Sequence, residues 1–114
     1  MPNWLAAVRA AESKKAFNVK VLDLRGVTSL ADYFVICTGT NPRQNQAIAD
    51  EIERELRLIG ERPSSTEGYQ LAEWILLDYG DMVVHVMSPQ ARDYYDLDRL
   101  WRQAKAVEIP PPAA

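Results

Sequence analysis

The sequence predicts an α/β (α+β) fold in which helices pack on a small mixed β-sheet, with the element order α-β-β-α-β-β-α. Two observations predict this fold. Four short apolar runs have the length and composition of strands, and three other segments repeat their apolar residues at helical spacing. The two kinds of element alternate along the chain, which indicates a sheet covered by helices.

The composition is that of one globular domain. The chain has 114 residues, of which 47% are hydrophobic and 25% are charged, and both values are close to the average for globular proteins. We expect a single domain over residues 1–105. Residues 106–114 are predicted to form a disordered tail rich in proline and alanine, because residues 110–112 are prolines that cannot continue a helix.

The first half of the chain contains a helix and two strands. The apolar stripe of the opening helix consists of Trp4, Leu5, Val8 and Ala11. Residues 19–24 alternate loosely and are followed by Gly26, which is typical of a strand and its stop. Residues 33–37 are apolar throughout, so we expect this second strand to be buried on both faces at the centre of the sheet.

The second helix has clear boundaries. Asn41 is a suitable N-cap, Pro42 occupies the first helical position, and Gln44 completes a capping-box pattern. Gly60 ends the helix. Its apolar stripe consists of Ile48, Ile52, Leu56 and Ile59.

The second half is predicted to contain a loop at residues 63–68, a β-hairpin and a final helix. The strands of the hairpin are residues 74–78 and 82–87, and their short connection makes them antiparallel. One face of the first strand carries Trp74, Leu76 and Asp78, and the other carries Ile75 and Leu77; the sequence leaves open which face is exposed. The final helix begins near Pro89 and is interrupted near Asp96.

The cysteine and histidine content restricts the chemistry. Cys37 is the single cysteine and His85 the single histidine, which excludes a disulfide framework and a zinc site built from Cys and His. No run approaches the ~20 apolar residues of a membrane span, and residues 1–17 lack a signal-peptide pattern. We expect a cytoplasmic protein without membrane contact, and a Cys37 that is a buried small hydrophobe.

Acidic and aromatic residues concentrate in the second half. Residues 67–99 contain seven acids and two bases, although the whole chain has a net charge of only −3. This acidity argues against binding nucleic acid over a broad surface. It fits a solvated acidic face as well as a docking surface for a basic protein. The aromatic residues of the same half are Tyr69, Trp74, Tyr79, Tyr94, Tyr95 and Trp101.

A nucleotide site is the alternative that the sequence leaves open. Residues 38–40 lead from a strand into a helix N-terminus, where backbone N–H groups favour an anion. A plain turn is favoured, because this segment has one glycine and no P-loop lysine. Asp23 and Asp32 do not form the carboxylate pair that magnesium chemistry needs. The sequence indicates no nucleophile or orienting carboxylate near His85, which favours a hydrogen-bonded structural or interface histidine over a catalytic one. We expect no catalytic residue, no metal and no cofactor.

Several motifs, in this order, resemble one known family. They are ADYFVICTGT at residues 31–40, RQ at 43–44, IAD at 48–50, EGY at 67–69, WILLDYGDMVVHV at 74–86, YDL at 95–97 and LW at 100–101. Through them the chain is similar to the Iojap-related ribosomal silencing factors (RsfS) over residues 4–102.

The resemblance implies a fold similar to that of nucleotidyltransferases, reused for binding without enzymatic activity. Factors of this family bind a protein of the large ribosomal subunit, number fourteen in the standard series, on the face that the small subunit joins. They thereby block subunit association and repress translation. Family members also form dimers, so the implied partners are the large subunit and a second copy of the chain, with little direct nucleic-acid contact.

The resemblance also implies which residues face the partner. They are Trp74, the hairpin-turn residues Asp78, Tyr79, Gly80 and Asp81, and in addition His85, Tyr94 and Tyr95. In this interpretation Trp74 is an apolar anchor, and the surrounding acids meet lysines and arginines of the ribosomal protein.

Overall fold

The chain forms one mixed sheet with helices on both faces. A computed structural model describes residues 1–112. Its elements are α1 (Asn3–Ser13), β1 (Phe17–Asp23), β2 (Tyr33–Thr38), α2 (Pro42–Leu58), β3 (Ser65–Glu67), β4 (Trp74–Asp78), β5 (Met82–Met87), α3 (Pro89–Tyr95), α4 (Leu97–Leu100) and β6 (Lys105–Ala106). The predicted α+β class is confirmed, and the short strands β3 and β6 are additions to the predicted order.

The strand order in the sheet is β3-β4-β5-β2-β1-β6. The central pair, β2 and β5, is parallel, and the other neighbouring pairs are antiparallel. The predicted hairpin of β4 and β5 is confirmed, with Trp74 opposite Met87. Strand β2 lies between β5 and β1, as its apolar composition predicts.

The two faces of the sheet are covered to different extents. Helices α1 and α2 cover one face, where Ile48, Ile52 and Leu56 of the α2 stripe belong to the same core as the fully buried Ile75 and Leu77. Ile59, predicted for the same stripe, is outside this core: it follows the last helical residue as the C-cap and is 52% exposed. The short helices α3 and α4 cover part of the other face, where Trp74 and Leu76 remain half-buried. The face of β4 that carries Trp74 is therefore the accessible one.

Helix α2 begins and ends as its sequence predicts. The Asn41 side chain accepts a hydrogen bond of 2.8 Å from the Gln44 N–H, and the Gln44 side chain accepts one of 2.7 Å from the N–H of Thr40. These bonds satisfy backbone donors that a helix start would otherwise leave unpaired. The helix ends just before Gly60, whose φ of +87° is in the left-handed region that glycine tolerates.

The predicted interruption of the last helix is confirmed. Asp96 has a φ of 47° and separates α3 from α4.

Within residues 1–112, no helix is long and apolar enough to cross a membrane.

The C-terminal segment differs from the predicted disordered tail of residues 106–114. Ala106 pairs with Leu22 of β1, and the N–H of Val107 donates to the Val21 carbonyl oxygen at 2.8 Å. Further on, the Arg9 guanidinium donates to the carbonyl oxygen of Pro110 at 2.7 Å. The physical reason is the unpaired outer edge of β1, whose backbone groups accept a following segment regardless of its composition. Residues 113 and 114 lie outside the described part.

Candidate protein-binding site

Three aromatic rings form a continuous cluster on the less covered face of the sheet. We define the aromatic cluster as Trp74, Tyr94 and Tyr95. The ring centroids of Trp74 and Tyr95 are 4.7 Å apart, and those of Tyr95 and Tyr94 are 4.9 Å apart with the planes nearly perpendicular. Tyr94 is 81% exposed and Tyr95 50% exposed. Large aromatic rings exposed together are typical of protein-binding surfaces.

Ser88 connects the strand that carries Trp74 to the helix that carries the tyrosines. Its N–H donates to the carbonyl oxygen of Glu73 at 2.8 Å, and its hydroxyl donates to the Glu73 carboxylate at 3.0 Å. The same hydroxyl oxygen accepts from the N–H of Ala91 as the N-cap of α3. The start of β4 and the start of α3 are thus fixed to each other.

His85 lies beneath the cluster and not on the surface. It is only 4% exposed, and its Nδ1 accepts a hydrogen bond of 3.0 Å from the Trp74 indole Nε1–H. Burial lowers the pKa of His85 to about 4, so the ring is neutral at physiological pH. Since Nδ1 accepts, the single ring proton is on Nε2. The Phe34 ring packs against the imidazole edge-on, with centroids 4.5 Å apart.

A cavity of about 620 Å³ adjoins the cluster. Its lining consists of Glu73, Trp74, Gln90, Ala91, Asp93, Tyr94 and Tyr95. The carboxylates of Glu73 and Asp93 stand beside the aromatic walls on exposed residues, so the cavity combines apolar area with negative charge. Sequence reasoning missed Glu73, Gln90 and Asp93 as site residues, although Glu73 directly precedes Trp74 and Asp93 directly precedes Tyr94.

The hairpin turn lies at the opposite end of β4 from Trp74. Asp78 follows Trp74 by four residue steps of extended strand, which corresponds to about 13 Å. The Asp78 carboxylate accepts a 2.8 Å bond from the N–H of Gly80, whose φ is +88°. The backbone carbonyl of Asp81 accepts from the N–H groups of residues 32 and 33 and so ties the turn to β2. The structure therefore brings Trp74, His85, Tyr94 and Tyr95 together and places the turn apart.

Tyr79 differs from the other turn residues. Its ring packs against the core under α1 and α2, its hydroxyl is buried, and that burial raises its pKa. The exposed part of the turn is thus formed by Gly80 and Asp81, with the half-buried Asp78 beside them.

Asp23, which the sequence offered for magnesium chemistry, already has a partner within the chain. Asp23 is engaged by Arg25 through its backbone N–H and its guanidinium, which lowers the pKa of Asp23 to about 2. No group of three or more metal-ligating side chains occurs within residues 1–112. Cys37 is fully buried as predicted, and burial raises the pKa of its thiol to about 12.

The turn at Thr38 borders a separate polar cavity of about 570 Å³ that sequence reasoning did not find. In it the Arg92 guanidinium donates to the Thr38 hydroxyl at 3.0 Å and to the Asn18 carbonyl oxygen at 2.8 Å. The second cation of this cavity, Lys20, is 3.2 Å from the Asp98 carboxylate, so both cations already have acceptors within the protein.

The fold and the candidate site are those of a small α+β protein that presents an aromatic and acidic surface. The family model described as "Ribosomal silencing factor during starvation" matches residues 2–114. The chain belongs to this family of ribosomal silencing factors, RsfS, as its motifs predicted.

Individual relatives agree with this family. The chain is 43% identical over 103 residues to the ribosomal silencing factor RsfS of Halalkalibacterium halodurans, covering 90% of this chain and 88% of that protein. It is 40% identical to the RsfS of Bacillus subtilis, covering 90% and 87%. The chloroplastic protein Iojap of Zea mays is 32% identical over 93% of this chain, which spans 46% of that longer protein.

Solved structures share the fold. A crystal structure from Bacillus halodurans has a TM-score of 0.80 at 41% identity and covers 90% of this chain and 93% of its own. A crystal structure from Chromobacterium violaceum has a TM-score of 0.82 at 37% identity and covers 95% and 89%.

Proposed function

We propose that this protein binds the large ribosomal subunit through a basic ribosomal protein, number fourteen, at the intersubunit face and sterically blocks joining of the small subunit. Its action is then regulatory and non-enzymatic, and translation falls because the two subunits cannot associate. The observation that carries this proposal is the aromatic cluster with its acidic surroundings, in a chain whose relatives are named ribosomal silencing factors.

The aromatic cluster supplies the anchor of the proposed interface. Residues that dominate binding energy are commonly tryptophans and tyrosines held in well-packed surroundings. Trp74 is held by His85 and Tyr95 and still has an exposed part, while Tyr94 and Tyr95 offer more area beside it. A partner that covers these rings removes them from water, which drives association.

The charges favour a basic partner. Seven carboxylates and two arginines lie within residues 67–99, and Glu73 and Asp93 stand at the cavity beside the cluster. Such a surface attracts lysines and arginines and repels phosphates, so it favours binding to a basic ribosomal protein over binding to RNA.

The size of the domain supports a steric mechanism. Its principal extents are 35, 32 and 31 Å. A body of this size seated on the intersubunit face prevents close contact of the two subunits without any chemical step. The turn residues Asp78, Gly80 and Asp81, at the far end of β4, extend the proposed surface beyond the cluster.

A second copy of the chain is a further proposed partner, which would compete with the ribosomal protein for the aromatic cluster.

The test is sedimentation of ribosomes through sucrose gradients at fixed magnesium, with and without the protein. We expect free subunits to accumulate and the protein to co-sediment with large subunits. Trp74→Ala should weaken that binding by about 30-fold or more, since anchors of this kind contribute ~2 kcal/mol or more. Leu71→Ala, which truncates another exposed side chain outside the cluster, is the matched control. An unchanged gradient profile contradicts the proposal.

A further inference from the structure

We propose that His85 is a positioning residue of the binding surface, whose buried imidazole holds the indole of Trp74 against Tyr95 and so fixes the shape that the partner meets. The inference rests on the proposed function, in which Trp74 is the anchor. A side chain that is 4% exposed has almost no area for a partner. Any contribution of His85 to binding therefore passes through Trp74.

The sheet register places the two residues for this contact. Trp74 is opposite Met87, and His85 lies two residues from Met87 on the same face of the neighbouring strand. Such diagonal pairs are within reach of long aromatic side chains. The Nε1–Nδ1 hydrogen bond of 3.0 Å uses this reach, and the indole then contacts Tyr95 with its centroid 4.7 Å away.

Burying the His85 imidazole costs free energy, which indicates that its accepting Nδ1 has a role in the structure. Its Nε2 is buried without a hydrogen-bond partner in the described structure, and its surroundings are otherwise apolar, with Phe34 at 4.5 Å and Ile36 opposite on β2. An apolar residue would avoid the unpaired Nε2 but would leave the Trp74 indole N–H without its acceptor. Within residues 1–112, the one hydrogen bond of the His85 side chain is the bond that it accepts from Trp74.

Loss of the acceptor changes the preferred orientation of the indole. A half-buried indole N–H without a partner is unfavourable, so the ring turns to bring Nε1 to water. That rotation separates the indole from Tyr95 and replaces one fixed surface by several. The partner then binds only those molecules in which the indole still packs against Tyr95. Its apparent affinity is the intrinsic affinity multiplied by the fraction of such molecules.

Two substitutions at His85 separate positioning from core packing. His85→Asn places an amide oxygen near the position of Nδ1 and keeps the acceptor, whereas His85→Phe keeps the ring volume and removes the acceptor. We expect His85→Phe to unfold at the same or a higher urea concentration than His85→Asn, yet to bind purified bacterial large ribosomal subunits about tenfold more weakly than the wild type. His85→Asn should bind within about threefold of the wild type. A purely structural role predicts the opposite order for binding.

A third measurement does not depend on variants at His85. In the folded wild-type protein, the Trp74 indole N–H signal in a ¹⁵N NMR spectrum, assigned by its loss in Trp74→Phe, should exchange with water much more slowly than free tryptophan. In the Trp74→Phe background, which lacks the donor, His85→Phe should add no further loss of binding. Exchange at the rate of free tryptophan, or equal binding losses in His85→Asn and His85→Phe, overturns the inference.

The failure of this inference is distinguishable from failure of the proposed function. If Trp74→Ala binds large subunits as the wild type does, the proposed function fails. If Trp74→Ala weakens binding while both His85 variants bind normally, only the positioning role is wrong.

Discussion

Asn45 of α2 donates its buried side-chain N–H to the carbonyl oxygen of Ala72, with Nδ2 and O 2.8 Å apart. Both residues are fully buried, and Ala72 has a φ of 56°. The bond connects α2 to the segment that leads into β4, two residues before Trp74. An interior amide of this kind satisfies a carbonyl that no strand partner reaches.

Replacing Asn45 by alanine should destabilise the protein strongly. The Ala72 carbonyl then stays buried without a donor, and a cavity remains where the amide was, so we expect a loss of about 2–3 kcal/mol in the free energy of unfolding. Urea unfolding measures this change. Gln46→Ala is the control, because Gln46 bonds the Tyr69 carbonyl from a less buried position that water can replace; its loss should stay under about 1 kcal/mol. Equal losses in the two variants contradict this account.

His85 should make stability depend on pH. Burial lowers the pKa of the folded imidazole from 6.5 to about 4, so between these values the unfolded chain binds a proton that the folded protein does not. The free energy of unfolding therefore falls as pH drops from 6.5 to about 4, by on the order of 3 kcal/mol in total. Urea titrations across this range should show a steeper fall for the wild type than for His85→Phe. Parallel curves would show that the carboxylates alone cause the fall.

Two glycines with similar backbone conformations should respond differently to alanine. Gly68 and Gly26 have φ values of +78° and +82°, but a Cβ at Gly68 would collide with the backbone carbonyl oxygen of Trp74, while a Cβ at Gly26 meets nothing within 4 Å. We expect Gly26→Ala to cost about 1 kcal/mol for the left-handed conformation alone, and Gly68→Ala to cost at least about 2 kcal/mol more because the start of β4 must move. Thermal unfolding compares them, and similar melting temperatures would refute the clash.

Arg9 should control how firmly the C-terminal segment is held. Its guanidinium donates to the carbonyl oxygens of Pro110 and Pro111. In Arg9→Ala we expect faster hydrogen exchange at the amide of Val107, which bonds to β1, with little change in global stability, since local opening of chain ends needs little free energy. Arg54→Ala, which breaks ion pairs on α2 only, serves as the control. If the exchange rate of Val107 is unchanged in Arg9→Ala, contacts other than those of Arg9 hold the C-terminal segment.

The sequence predicted the elements whose signals are local. Asn41, Pro42 and Gly60 mark the limits of α2 within one or two residues, because caps depend on neighbours in the chain. The alternation in β4 and β5 placed Trp74 and His85 each on its correct strand face. The distinction between the half-buried face and the covered face of β4 required knowledge of where the helices pack.

What the sequence did not predict depends on contacts between distant segments. Strands β3 and β6 contain three and two residues and exist because a neighbouring edge pairs with them. The Trp74–His85 hydrogen bond depends on the register of two strands, and the Ser88–Glu73 bonds depend on where α3 begins. Tyr79 was predicted as a surface residue of the turn, since no local pattern shows that its ring folds back to the core.

The path of residues 105–112 determines on which side of the sheet a label fused after them emerges. After β6 the chain crosses the edge of the sheet and reaches Arg9 of α1, which is on the opposite side of the sheet from Trp74. An affinity tag or fluorophore joined behind the prolines therefore leaves the aromatic rings unobstructed. Immobilisation through a label that follows residue 112 presents the ring-bearing side to a ribosome in solution, whereas a label on α3 would lie beside the aromatic cluster.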